Sequence, residues 1–266
     1  MMTSLRAPVD LSRALGIALI VVASVTFGIA DAYAVTTLRT AAQIASDPKF
    51  VVSNDGDTVV GGICVDIMRK IEHADSSLRF EGDQKWRPLT RIEAQLNKGD
   101  LDIGCGLLRN RAREEKYVYI EPPLFVVKYF LVARAGDGIQ IDSWDDVRAL
   151  GNQGGLLAIH GFGIVSKLVE LGLKVDDGAT TSETNIGKLL GGRGRFYIHR
   201  SPGIETAIRG AERAGKVRLL PTAMLTEKFY MVVRRSMSAD IVEKLRKAVG
   251  QLDQAGELAR IFDKWK

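Results

Sequence analysis

Cysteine, histidine and proline are scarce in this sequence: two, three and seven residues among 266. Two cysteines cannot build the dense disulfide framework of a small secreted scaffold, and no Cys or His pair stands at the close spacing of a zinc motif. A phosphate-cradling glycine loop, a Ser/His/Asp order, an internal repeat, a low-complexity tract and a long linker are all missing. Charge of one sign is also modest. The 37 basic and 32 acidic residues leave +5, too small an excess to argue for nucleic acid as a partner. What remains is 46% hydrophobic and 26% charged, the balance of a soluble globular chain with enough residues for one large domain or two small ones.

The N-terminus reads separately from the rest. Arg6 and Arg13 precede an uncharged stretch from Ala14 to Ala30, followed by Ala32-Tyr33-Ala34. A basic start, a short apolar core and an Ala-x-Ala site describe a secretory signal peptide over residues 1–34. An uncleaved membrane anchor is the alternative, although the stretch is short of the roughly 20 residues a spanning helix needs. The first cysteine is Cys64, far beyond the apolar stretch, which argues against a lipid-anchored N-terminus. The expected mature chain starts near Val35, has 266 − 34 = 232 residues, and is exported. In an oxidising compartment Cys64 and Cys105 can pair; two buried free thiols are the other reading, and the sequence leaves both open.

Beyond residue 34, strand and helix signals alternate. Val35–Ala42 reads as a strand. After the turn signal Asn54-Asp55-Gly56-Asp57, Ile63, Ile67 and Ile71 recur at helical spacing and predict a helix over about 63–74. Strands are expected at 78–81, 101–105, 126–134, 155–159, 196–198, 217–220 and 229–233. Helices are expected at 89–96, 144–150, after Gly163, at 186–190 and at 204–214. Two helices close the chain, the last with Leu258, Ile261, Phe262 and Trp265 at i, i+3, i+4, i+7. Repeated β-α alternation argues for parallel sheets covered by helices.

Three stretches in order carry a family resemblance: Gly62-Ile63-Cys64-Val65-Asp66-Ile67; Leu96-Asn97-Lys98-Gly99-Asp100-Leu101-Asp102-Ile103 with Asn110-Arg111-Ala112-Arg113 and Tyr119-Ile120-Glu121-Pro122-Pro123-Leu124 after it; and a closing pair of helices around Gly256. Together they resemble the family 3 extracellular solute-binding proteins of bacterial ABC importers, whose members mostly bind polar amino acids. The resemblance implies an α/β, two-lobed type II periplasmic-binding fold, each lobe a mainly parallel sheet flanked by helices, with two hinge crossings. Lobe 1 would comprise residues 35–134 plus 225–266, and lobe 2 residues 135–224. It also implies a monomer in the periplasm that hands a small-molecule ligand to an inner-membrane permease, with no cofactor, no nucleic acid and no catalysis. The chain's end at Lys266, directly after its last helix, is expected to leave no fused receptor domain; signalling through a separate partner stays open.

In register with the family, Arg113 matches the arginine that grips a ligand carboxylate, a task suited to a planar guanidinium that stays charged. Its rival role is a solvated member of the charge run 109–116, neutralised by Glu114 or Glu115. Beside it, Gly106, Leu107 and Leu108 stand where hydroxyl side chains are usual, and Asn110 stands in place of Thr. In lobe 2 the expected helix start reads Gly161-Phe162-Gly163, with an aromatic where hydroxyl donors are usual. Amino-acid binders of the family carry an acid that pairs with the ligand's α-ammonium; here that position falls at or near Arg200, beside His199. An arginine repels an ammonium, so the expected ligand is an anionic carboxylate and not an ordinary α-amino acid. Either two arginines clamp a dicarboxylate, or Arg113 holds one carboxylate while Phe162, Leu107 and Leu89 enclose an apolar body.

Two other function classes compete. A dehydratase-like enzyme acting on a cyclic carboxylate would need a cleft acid, and Glu205 is the nearest lobe-2 candidate. A metal-binding protein could assemble Cys64, Cys105, His160 and His199, a set suited to copper or zinc. His73 reads as a surface residue.

Overall fold

The computed structural model describes residues 35–52, 60–209 and 215–266. The signal-peptide segment 1–34, the turn at 54–57 and the end of the helix expected over 204–214 lie outside the described residues. The chain begins with β1 (Thr36–Arg39) and the short strands β2 (Ala42–Gln43), β3 (Val51–Val52) and β4 (Val60–Gly61). Next come α1 (Ile63–Ala74), β5 (Leu78–Glu81), β6 (Trp86–Arg87), α2 (Leu89–Lys98), β7 (Ile103–Leu108) and the single turn α3 (Arg111–Glu114). A long strand, β8 (Tyr117–Arg134), leads to α4 (Trp144–Ala149), β9 (Leu156–Ile159), α5 (Ile164–Glu170), β10 (Val175–Ala179), α6 (Ser182–Leu190), β11 (Phe196–Ser201) and α7 (Ile204–Arg209). The chain closes with β12 (Val217–Leu219), β13 (Leu225–Arg234), α8 (Ala239–Gln254) and α9 (Glu257–Trp265). Among the described residues, no helix is long and apolar enough to cross a membrane.

The organising element is β8. One edge pairs antiparallel with β13, from Tyr117 opposite Arg234 to Tyr129 opposite Leu225, and continues against β12. The other edge pairs antiparallel with β11 over Lys128 to Val132. The full order is β10-β9-β11-β8-β13-β7. Parallel pairing joins β9 to β10 and β11, and β1 to β5, while every strand beside β8 is antiparallel to it. The sheet is therefore mixed, with its parallel character at the β-α repeats. Pairing of residues 128–134 with β11 and β12 puts the change of neighbours earlier on β8 than position 134.

Burial explains the layers. In α1 the residues Ile63, Cys64, Ile67, Met68 and Ile71 are buried while Arg69 and Lys70 are exposed, an apolar stripe at helical period. That stripe packs with α8 and α9 on one face of the β7/β13/β8 region, where Leu245, Val249, Leu258 and Ile261 join the core. Ile92 and Leu96 of α2 cover the opposite face with Tyr117, Tyr119, Tyr230 and Val232. Toward the β9 end, α6 sits over Leu157, Ile159, Tyr197 and Val132, and Ile164 and Leu168 of α5 pack on the other side with Leu156, Ala158, Phe196 and Ile198.

The strand expected over 35–42 divides into β1 and β2, the short elements β3, β4, β6 and α3 were not expected, and two larger departures have a physical cause. The strand expected at 126–134 begins at Tyr117, across Pro122 and Pro123; the β8–β13 register jumps there, Phe125 facing Phe229 and Ile120 facing Met231, so the prolines' missing N–H groups cost no ladder bond. β10 escaped the reading because Val-Asp-Asp-Gly-Ala is a polar edge strand without buried alternation.

Cys64 and Cys105 are joined in a disulfide that ties the first turn of α1 to β7. The backbone N–H groups of Ile63 and Cys64 donate to the carbonyls of Pro48 and Lys49, so the same helix start also holds the 44–49 turn. Closing a loop of 41 residues is worth about 2–4 kcal/mol by restricting the unfolded chain. Urea unfolding of the Cys64→Ser/Cys105→Ser variant should show a loss of that order, and dithiothreitol should lower only the wild type's midpoint. Equal midpoints would contradict a stabilising bridge.

Candidate functional site

Eight segments converge on one small cavity: the 43–49 segment, the start of α2, β7, α3, β8, the turn before α5, β11 and β13. Gln43, Lys49, Leu89, Gly106, Leu107, Leu108, Arg113, Tyr129, Phe162, Gly163, Arg200 and Phe229 line it. The space left among them is about 20 Å³, enough for a single water.

Of the residues singled out in the sequence, Arg113, Gly106, Leu107, Leu89, Phe162, Gly163 and Arg200 all reach this cavity; His199 does not. Strand geometry separates the last two. Neighbouring residues of β11 point to opposite faces, so Arg200 shares a face with Phe196 and Ile198, and His199 shares one with Tyr197. Arg200 sits directly opposite Tyr129 in the β11–β8 ladder, which brings a cation and a phenol to the same wall. His199 instead lines a separate cavity with Asp47, Ser182, Gly203 and Thr206. Its Nδ1 faces the Arg200 carbonyl at 2.9 Å.

Arg113 is 6% exposed, against the solvated alternative. Asn110 caps its short helix, accepting the Arg113 backbone N–H at 2.9 Å, and the side chain turns inward. Its Nε donates to Glu93 at 2.6 Å and its Nη1 to the Leu108 carbonyl at 3.1 Å. The neutralising acid is thus Glu93 from α2; Glu114 and Glu115 lie beside Arg109 and Arg111. A methyl group at Gly163 would strike the Arg113 guanidinium, so glycine there lets the turn before α5 close over the arginine. Arg200, 4% exposed, donates to the carbonyls of Ser46 and Asp47 at 2.6 and 3.2 Å and lies 5.6 Å from the centre of the Phe162 ring.

The sequence reading missed Gln43, Lys49, Tyr129 and Phe229, of which Lys49 is the basic one. Lys49 is 4% exposed, and its Nζ donates to the Gln43 side chain and to the Gly106 carbonyl. Gly106 has φ +67°, and a Cβ there would run into the Lys49 stem and the Phe125 ring, so this glycine permits the lysine's approach. Burial, reinforced by Arg200 and Arg113, holds the Lys49 ammonium well below the usual lysine range. Burial likewise pushes the Tyr129 hydroxyl up to about 12, so it stays a neutral donor. Three cationic side chains therefore meet at a cavity whose lining contains no carboxylate, and Glu93 is already paired to Arg113.

The alternative site readings do not assemble. Glu205 is exposed and accepts a hydrogen bond from Ser201 at 2.7 Å, outside this cavity. The disulfide consumes both thiolates of the supposed metal set, and His160 is exposed beside Asp177. Among the described residues no group of three or more His, Cys, Asp or Glu side chains is placed to hold a metal ion. His73 is exposed, as read from the sequence.

A helix-flanked mixed sheet whose central strand runs past a buried polar cavity defines a ligand-binding protein of the type II periplasmic-binding fold. Residues 40–266 match the bacterial extracellular solute-binding proteins, family 3, and the chain belongs to that family. Among solved structures, an ancestral arginine-binding protein bound to glutamine is similar with a TM-score of 0.67 and 20% identity, over 86% of this chain and 97% of that one. A histidine kinase sensor domain with similarity to periplasmic binding proteins gives 0.70 and 17%, over 87% and 96%. The GluR0 ligand-binding core from Nostoc punctiforme, in complex with L-glutamate, gives 0.64 and 19%, over 86% and 98%. No curated protein sequence matches the chain.

His199 yields a pH prediction. Burial, with Arg200 nearby, lowers its ring to about 3, whereas in the unfolded chain it titrates near 6.5. Below pH 6.5 the unfolded state gains a proton that the folded state refuses until about pH 3, so stability falls as pH drops through that window. From pH 7.5 to 5 the histidine should account for about 2 kcal/mol of lost stability, which His199→Gln removes. Parallel stability–pH slopes for the two proteins would refute this.

Proposed function

We propose that this protein captures a small anionic organic solute, a carboxylate other than an ordinary α-amino acid, and passes it unchanged to an inner-membrane permease. The observation that carries the reading is the convergence of Lys49, Arg113 and Arg200 on a cavity with no lining carboxylate. Burying a cation without a partner is costly, so such a cluster favours an anion and disfavours an ammonium group. Arg113 is the anchor, its fork suited to two carboxylate oxygens, and Arg200 is its counterpart across the cavity. Leu89, Leu107, Phe162 and Phe229 surround the ligand's carbon skeleton. Binding without chemistry fits a cavity whose lining holds no acid and beside which Glu93 is held by Arg113.

In this reading the chain works as an exported monomer with its leader at residues 1–34. One lobe is built on residues 35 to about 127 and about 227–266 and the other on the residues between, since residues 128–134 pair with β11 and β12. The lobes part where β8 and β13 cross, near Val127 to Tyr129, the stretch in which β8 gains β11 as a neighbour. Separation there is required on steric grounds, because the walls leave room for one water and no solute.

Thermal-shift screening of organic acids, amino acids and apolar carboxylates tests the reading, since a ligand that binds the native state raises the melting temperature. Carboxylates lacking an α-amino group should stabilise the protein, and Arg113→Ala should weaken them by more than about 2 kcal/mol, some thirtyfold. Stabilisation by ordinary amino acids alone, or an unimpaired Arg113→Ala variant, would overturn it.

A further inference from the structure

We propose that Lys49 makes this a site for a small organic dianion: the ligand carries two carboxylates on a short carbon skeleton, and Lys49 is the residue that selects for the second. The inference rests on the anionic-solute reading above and goes further by fixing the ligand's charge and the residue that sets it. It follows from counting the charges that face the cavity. Arg113 and Arg200 contribute two positive groups and Lys49, when protonated, a third, each no more than 6% exposed. Glu93 cancels one through its 2.6 Å contact with Arg113; the Asp47 carboxylate acts on Arg200 from the neighbouring cavity, where burial raises its own affinity for a proton; and Gln43 and the carbonyls of Gly106, Ser46 and Asp47, being uncharged, cancel none. A monocarboxylate leaves a desolvated cation uncompensated. A zwitterionic amino acid adds no net charge and sets an ammonium among like charges. A dicarboxylate offers one carboxylate to Arg113 and a second to Arg200 and Lys49.

The placement of the three cations supports a ligand held at both ends. Arg113 comes from α3 and is tied to β7 through the Leu108 carbonyl, Arg200 comes from β11, and Lys49 comes from the 44–49 turn. Arg200 and Lys49 share that turn: Arg200 donates to the carbonyls of Ser46 and Asp47, and Lys49 follows two residues on. Both arginines act electrostatically on Lys49, and Leu89, Leu107, Phe162 and Phe229 line the same cavity. Lys49 also answers to occupancy. Burial and the two arginines lower its affinity for a proton, and a carboxylate at Arg200 would restore it.

Lys49 is held in place by structure that has no other evident task at the cavity. The start of α1 bonds the Pro48 and Lys49 carbonyls, the disulfide fixes that helix start to Cys105, and the next residue, Gly106, supplies both the carbonyl that accepts from Nζ and the space for the lysine stem. A lysine serving only to fill volume would not need this fixation.

Isothermal titration of the full mature chain with matched probes tests the proposal. The probes are succinate, glutarate, adipate and phthalate as dicarboxylates; butyrate, valerate, hexanoate and benzoate as monocarboxylates; and L-glutamate, which is glutarate with an added ammonium. At least one dicarboxylate should bind tenfold or more tighter than its monocarboxylate counterpart and than L-glutamate. Lys49→Met, which keeps the stem and removes the charge, should weaken that dicarboxylate by tenfold or more and change the monocarboxylate by less than about threefold. If monocarboxylates bind as tightly as dicarboxylates in the wild type, the dianion proposal fails and the anionic-solute reading stands. If L-glutamate is the tightest probe, both fail. If Lys49→Met binds the dicarboxylate like wild type, the assignment of Lys49 fails. The wild-type comparison decides the ligand's charge even if the variant does not fold.

Discussion

The structure depends on a single electrostatic constraint: three long basic side chains are held out of water around one small space, with Glu93 paired to Arg113 and Asp47 acting on Arg200 from beside it. Desolvating a charge costs several kcal/mol even after the protein relaxes. Glu93 offsets that cost for Arg113, and backbone carbonyls of the 44–49 turn and of Gly106 offset part of it for Arg200 and Lys49. What is left over is positive charge in a buried cavity, the feature on which the proposal of an anionic ligand rests.

The scaffold reads as a device for keeping that arrangement in register. The long strand β8 gives Tyr129 to the cavity and passes from the β13 ladder to the β11 ladder within a few residues, so a hinge in this stretch would move Arg200 relative to Arg113 without breaking either sheet end. The Cys64–Cys105 disulfide, the α1 start and Gly106 form a chain of fixed points that ends at Lys49. On the other side, Asn110 caps the turn carrying Arg113 and also donates to Ser166 of α5 at 3.2 Å, one of the contacts that hold the cavity shut.

Much of this was legible before the structure, for identifiable reasons. The stripe Ile63, Ile67, Ile71 and the closing Leu258, Ile261, Phe262, Trp265 set declared their helices because burial there follows a simple period. Register with a family pattern points to Arg113, Phe162, Gly163 and Arg200, which the structure brings to one cavity. The choice between Arg200 and His199 could have been made from alternation alone: in Phe-Tyr-Ile-His-Arg, the apolar Phe196 and Ile198 mark the face that Arg200 shares. Other features had no local signal. Glu93 precedes Arg113 by 20 positions and meets it only because α2 packs beside β7. Lys49 lies in a turn without periodicity, and its burial follows from contacts with Gly106, 57 positions away. The polar strand β10 carries no apolar alternation to announce it.

The most direct test of the central claim is a crystal structure of the protein with the acid that stabilises it most. The account predicts the ligand in the cavity between Leu89 and Phe162, with one carboxylate within hydrogen-bond distance of the Arg113 guanidinium and negative oxygens facing Arg200 and Lys49. A ligand seated elsewhere, such as beside His199, or one presenting an ammonium to Arg200, would contradict it.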